Sequence, residues 1–137
     1  MKSKVMRFLL VIFISTNAVS SEISPYSAKY NFKSEEISIS GVREFYKTEN
    51  GYEMKFKASN FLASLFFLSK FKIENSKVIS DSYEIKIRPK FLNRDQYLNF
   101  DYKNMEVRSK GINKWTSSLK DNLLYDPLNV QIMIRTN

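Results

Sequence analysis

From residue 26 onward, apolar and polar residues alternate with a period of two, as strands with one buried and one wet face require. Tyr26, Ala28, Tyr30 and Phe32 alternate with Ser27, Lys29, Asn31 and Lys33, which predicts a first strand. Ile37 and Ile39 open a second, and Gly41 shifts its apolar phase to Val42 and Tyr46, as a bulge would. Thr48-Glu49-Asn50-Gly51 predicts a tight hairpin, because Asn-Gly tolerates positive φ at both residues. A third strand follows with Tyr52, Met54, Phe56 and Ala58 inward and Glu53, Lys55 and Lys57 outward.

Asn60 to Leu68 breaks the alternation, being apolar at nearly every position, and predicts a short turn of helix capped by Asn60. Phe71 and Ile73 resume a strand and Asn75-Ser76 turns it. The next strand sets Tyr83, Ile85 and Ile87 against Glu84, Lys86 and Arg88. Gln96 to Tyr102 forms another, Asp101 to Asn104 turns it, and Met105 to Ser109 pairs back. Trp115 to Leu119 reads as a last short strand.

Asp126-Pro127 begins something different. Asp is a good N-cap, Pro is favoured at the first helical position, and Leu128, Val130, Ile132, Met133 and Ile134 supply an apolar stripe. The predicted fold is mostly β: a curved antiparallel meander sheet, an open half-barrel, with a short helical turn and one C-terminal helix. Either that helix closes the mouth of the sheet, or the chain is the N-terminal part of something longer.

The first twenty residues do not share this pattern. Lys2, Lys4 and Arg7 precede an unbroken apolar run from Phe8 to Ile14, and Ala18-Val19-Ser20 offers the small residues that a signal peptidase needs. The run is about half of the ~20 residues of a spanning helix. Residues 1–20 therefore read as an export signal and residues 21–137 as one β-rich periplasmic domain; the alternative is an N-terminal membrane anchor. The 137-residue chain has no Cys, so neither a lipid-modified cysteine nor a disulfide is available, and stability must come from sheet hydrogen bonds and apolar burial. Its 11 Phe and 8 Tyr make that feasible, since each aromatic buries a large area. Loss of Lys2, Lys4 and Arg7 with the leader lowers the formal charge from +8 to +5, a mild excess.

Tyr26-Ser27-Ala28-Lys29-Tyr30, Phe100-Asp101-Tyr102, and Asp126-Pro127-Leu128-Asn129 running through Gln131 to Arg135 carry a resemblance over most of residues 26–137. The chain resembles the bacterial envelope proteins grouped as domain of unknown function 3108. Phe100, Asp101, Asp126, Pro127, Leu128 and Arg135 are the motif-like positions; Asn129 stands where that family usually has Ser. The resemblance implies a periplasmic, mostly β protein with no agreed catalytic residues. It also implies a shortened member, without the family's last strands.

With neither His nor Cys, the usual triad bases and imidazole or thiolate metal sites are excluded, and no cofactor is expected. Asp81, Glu84, Asp95, Asp101, Asp121 and Asp126 are the acids from which a carboxylate-based hydrolase would draw a pair. Lys55, Lys57, Lys70, Lys72, Lys86, Arg88 and Lys90 recur at every second position. They predict either a solvated outer face or contacts to an anionic envelope surface. Nucleic acid is not expected as a partner, since export removes it and the aromatics fall on the opposite face from the cations. That opposite face offers Tyr30, Phe32, Tyr52, Met54, Phe56, Phe71, Tyr83, Ile85 and Ile87 as an apolar ligand surface, with the helix from Asp126 filling the concavity as the plainer reading. The predicted role is non-enzymatic binding or scaffolding in the envelope, with a carrier of a lipid or other apolar ligand second and a hydrolase a distant third.

Cleavage of the leader should place the mature N-terminus at Ser21 or Glu22. N-terminal sequencing of protein recovered from the cell envelope checks this, and a sequence still starting at Met1 would favour the anchored form.

Overall fold

A computed structural model describes residues 23–89, 92–120 and 123–136. The predicted leader, its cleavage point, Lys90 and Asp121 lie outside the described residues. Eight strands follow one another in a single antiparallel sheet ordered as they occur in the chain. They are β1 (Tyr26–Lys33), β2 (Ser38–Thr48), β3 (Gly51–Ser59), β4 (Ala63–Glu74), β5 (Lys77–Pro89), β6 (Arg94–Asp101), β7 (Glu106–Gly111) and β8 (Trp115–Ser118). The sheet does not close: β1 and β8 are its edges. Helix α1 (Val130–Thr136) covers part of one face, the inner one.

Alternation determines that face. Phe45 pairs with Met54, Met54 with Ser69 and Ser69 with Tyr83, so one row crosses four strands on the same side. Phe45, Met54, Phe71, Val78, Tyr83, Phe100 and Val107 are buried there with Leu119, Leu128 and Ile132. Each such large apolar side chain contributes about 1.5–3 kcal/mol on removal from water. Ile132 is fully buried, whereas Ile134, counted in the predicted stripe, is 67% exposed.

Three local expectations are corrected. Asn60 to Leu68 is no helical turn: β4 begins at Ala63 and pairs with β3 and β5 along its length. A strand bonded on both edges satisfies its backbone without helical winding, and its apolar residues supply both faces, Leu65 and Phe67 inward, Phe66 and Leu68 outward. Asn60 does cap, but it caps a turn, its Oδ1 accepting the N–H groups of Leu62 and Ala63 at 2.9 Å each.

Gly41 carries no bulge. Its register with Tyr30 and Ala58 is unbroken, so Val42 and Tyr46 lie outside and Arg43 lies on the inner face. Glycine is needed there for room: a Cβ would sit 2.8 Å from the Phe56 ring. The register shift lies instead between Lys70 and Phe71, where Ser80 and Ser82 flank the extra residue Asp81. At the β2–β3 hairpin only Gly51 has positive φ (146°), and Asn50 does not. The turn with positive φ at both residues is Asn75-Ser76, at 50° and 61°.

Gly51→Val should destabilise the domain by about 1–3 kcal/mol, because φ is unfavourable for any side chain and a Cβ would lie 2.5 Å from the Phe71 carbonyl oxygen. Denaturant unfolding of parent and variant measures this; equal midpoints would mean the hairpin relaxes without cost.

Candidate functional site

The segment leading into α1 is fixed by polar groups buried beneath it. Asp126 Oδ1 accepts the backbone N–H groups of Leu128 (2.8 Å) and Asn129 (2.9 Å), and Asn129 Oδ1 accepts the N–H of Asp126 (2.9 Å). This is a reciprocal cap, with Asn in the place usually taken by Glu or Gln. Ser69 of β4 donates its hydroxyl to Asp126 Oδ2 at 2.6 Å. Asn129 Nδ2 donates to Ser80 of β5 at 2.8 Å, and Ser80 donates to the Leu124 carbonyl at 2.6 Å. All four side chains are buried. Burial pushes the Asp126 carboxyl above the ordinary carboxylate range, and the bonds from Ser69, Asn129 and Leu128 offset this only in part. Burial, followed by the Asp126 charge, pushes the Tyr83 hydroxyl up to about 12.

The predicted apolar ligand face is divided by this lid. Met54, Phe71 and Tyr83 lie within the core, and Tyr52 packs against it. Phe56 and Ile85, which pack against the core from one side, and Ile87 line an open cleft of about 420 Å³ beside the lid, joined by Tyr83, Phe67, Arg43, Pro127, Leu128 and Gln131. Tyr30 meets the Phe56 ring edge-on at 6.4 Å, and Phe32 at the β1 edge is 63% exposed. The floor is therefore a run of aromatic and branched side chains: Phe56 stacks on Phe67 at 6.1 Å, and Phe67 meets Tyr83 at 6.5 Å.

Arg43 is the exception on this floor. Its Nη1 donates to Gln131 Oε1 of α1 at 2.5 Å, and its guanidinium lies 4.9 Å from the centre of the Tyr30 ring. Its Nε is buried with no hydrogen-bond partner. Among the described residues, no carboxylate forms an ion pair with it.

The end of the sheet nearest Ile87 carries the β1–β2, β3–β4, β5–β6 and β7–β8 connections, as the pairs Lys33 with Ser38, Ala63 with Pro89 and Gln96 with Gly111 require. Exposed apolar side chains gather on it: Ile37, Phe61, Leu62, Leu92 and Ile112, with Phe61 at 82%.

The cationic stripe lies on the outer face. Lys55, Lys70, Lys86 and Arg88 pair with Glu44 (4.0 Å), Glu53 (3.2 Å), Glu84 (2.6 Å) and Asp95 (3.3 Å). Burial opposes ionisation of Glu53, but its bonds with Tyr46 and Lys70 outweigh it and hold its carboxyl below the ordinary value. Lys57 and Lys72 have no ion pair among the described residues, though Lys57 lies 6.0 Å from the Phe66 ring. Contrary to the sequence reading, aromatics do interleave with these cations: Phe66 sits between Lys57 and Lys86, and Lys55 lies 5.0 Å from Tyr46. The extended apolar run hid Phe66 from a period-two count.

The other acids have local roles. Asp101 accepts from the Asn104 backbone (3.0 Å) and side chain (2.8 Å), which hold it below the ordinary value. Asp81 is the bulged residue beside a polar hollow of about 560 Å³ near the β2–β3 hairpin. No group of three or more acidic side chains among the described residues is arranged to hold a metal. None of their helices is long and apolar enough to cross a membrane.

Of the motif-like positions, Phe100 and Leu128 are core residues, Asp101 closes a turn, Asp126 caps the lid, Pro127 lines the cleft, and Arg135 lies 5.4 Å from the Tyr26 ring. No family model, curated protein or solved structure matches the chain. Arg43, Phe67, Ser69 and Ser80 were missed from the sequence, and Gln131 was noted only within the motif-like segment. Uninterrupted alternation from Ile39 to Phe45 would have placed Arg43 inside, and small polar residues in phase with Phe71 and Val78 were the signal for the buried serines.

Asp126 should make stability depend on pH with an unusual sign. Because its folded value is raised, its contribution is fully present below the ordinary carboxylate value and is lost as pH rises through the raised one. Asp126→Asn keeps an oxygen for the Leu128 and Asn129 N–H groups and removes the titration. Melting of both proteins between about pH 3 and pH 7 should show the parent losing stability relative to the variant as pH rises. A constant difference, or one of opposite slope, would contradict the burial argument.

Proposed function

We propose that this protein is an exported, non-enzymatic binding domain of the cell envelope that takes an apolar ligand into the cleft between its sheet and α1. The cleft carries the reading. Its volume of about 420 Å³ lies within the ~300–1,000 Å³ of small-molecule sites, and its floor is aromatic and aliphatic with few polar groups. The lid buries Ile132 and Leu128 in the core and only borders the rest of the inner face, so Phe56, Phe67, Ile85 and Ile87 stay half-buried along the cleft beside Pro127 and Leu128. The exposed rim of Phe61, Leu62 and Leu92 at the adjoining end gives an apolar ligand, such as an envelope lipid, a surface to arrive across.

Export to the periplasm belongs to the same proposal and rests on the order of charged, apolar and small residues in positions 1–20. The kinship to the uncharacterised envelope family rests on its short motifs alone. The mixed charge of the outer face favours its role as a solvated surface, since four of its cations are paired with carboxylates.

Titration of the full chain with the neutral fluorophore N-phenylnaphthylamine tests the cleft. Saturable fluorescence enhancement is expected, weakened roughly tenfold or more by Ile85→Trp or Ile87→Trp, either of which fills the floor. No saturable binding, or equal binding by folded filled variants, would remove the proposal.

A further inference from the structure

We infer that the ligand of this cleft is a single-chain carboxylate amphiphile, its acyl chain lying over Phe56, Phe67 and Ile85 and its head group paired with Arg43. The inference rests on the apolar-cleft reading and adds the chemistry of the head. A guanidinium cannot lose its charge in a protein, and placing one among aromatic side chains is costly unless its donors are used. Arg43 neighbours Ala28 on β1 and Phe56 on β3, both on the inner face. Its ring contact with Tyr30 and its bond to Gln131 fix the plane of the guanidinium and occupy Nη1. Nε is left buried and unpartnered. With Nη1 held by Gln131 and Nε buried, Arg43 offers a carboxylate its fixed charge and its remaining Nη donors at the cleft wall.

The remaining charges favour the same head group. The four outer-face cations named above already have carboxylate partners, and the carboxylates of the lid and the bulge lie elsewhere: Asp126 is buried in its own cap, and Asp81 lines the separate hollow near the β2–β3 hairpin. The cleft therefore presents one cation to its occupant and no anion among its lining residues. Its volume of about 420 Å³, toward the lower end for ligand sites, favours a small, single-chain amphiphile.

The test is displacement of bound N-phenylnaphthylamine from the full chain by decanoate and by decanol, which share a chain and differ at the head. Decanoate should displace about tenfold more effectively than decanol, the yield of one charge-assisted pair. Arg43→Met should bring the ratio of the two displacement constants to about one, whatever it does to decanol alone, and Arg43→Lys, which keeps a charge but not the planar guanidinium, should retain only part of the preference. Arg43→Met places an apolar chain on an apolar floor and should melt no lower than the parent; if it does not fold, Arg43→Lys reads the same loss. Equal displacement by the two ligands, or an advantage untouched by either variant, would overturn the pairing with Arg43 and leave the apolar cleft standing. Failure of the fluorophore to bind would overturn both.

Discussion

Two hydrogen-bonded pairs, Ser69 with Asp126 and Ser80 with Asn129, join the strands on either side of the β4–β5 bulge to the start of α1. Their atoms are buried, so each unmade bond would carry a desolvation penalty of about 1–3 kcal/mol, and more for the ionised carboxyl. That penalty makes the lid position specific. Apolar residues such as Leu128 and Ile132 could pack against many parts of an apolar sheet, but only one placement satisfies Asp126 and Asn129 together. The bulge at Asp81 lets Ser80 and Tyr83, three residues apart on β5, both face inward opposite Phe71 and Ser69 of β4.

Fixing the lid at one end of the inner face determines what the other end becomes. Beneath it, Phe45, Met54, Phe71 and Val78 form a dry core. Beside it, the same alternation continues through Phe56, Phe67, Ile85 and Ile87, which are only half-buried and form the cleft with Pro127, Leu128 and Gln131 at its border. Gln131, one turn or less beyond Asn129, reaches Arg43 at the boundary between the two halves. The structural device and the proposed binding site are thus adjacent parts of one segment, and the cleft keeps its shape only while the cap holds.

Strands were legible where polar and apolar residues alternated strictly, as in Tyr52 to Ala58 or Tyr83 to Arg88, because period two requires no tertiary information. Asn60 to Leu68 was not, since a strand apolar on both faces has no period, and only its pairing with β3 and β5 identifies it. Arg43 was hidden because a charged residue at an inward position was read as a change of phase at Gly41. The cap at Asp126 was readable from residue type, but its burial depends on serines more than forty residues away. The sealed and open parts of the apolar face likewise differ only in which lies under the lid, and that is a property of the assembled fold.

Residue-resolved amide hydrogen exchange under native conditions tests the clamp most directly. If Asp126 and Asn129 hold the lid as described, the amides of Leu128, Asn129, Ile132 and Met133 should exchange as slowly as those of Phe71 and Tyr83 in β4 and β5, through global unfolding alone. Exchange of these four at unprotected rates, with β4 and β5 still protected, would show a lid that detaches freely and would contradict the account.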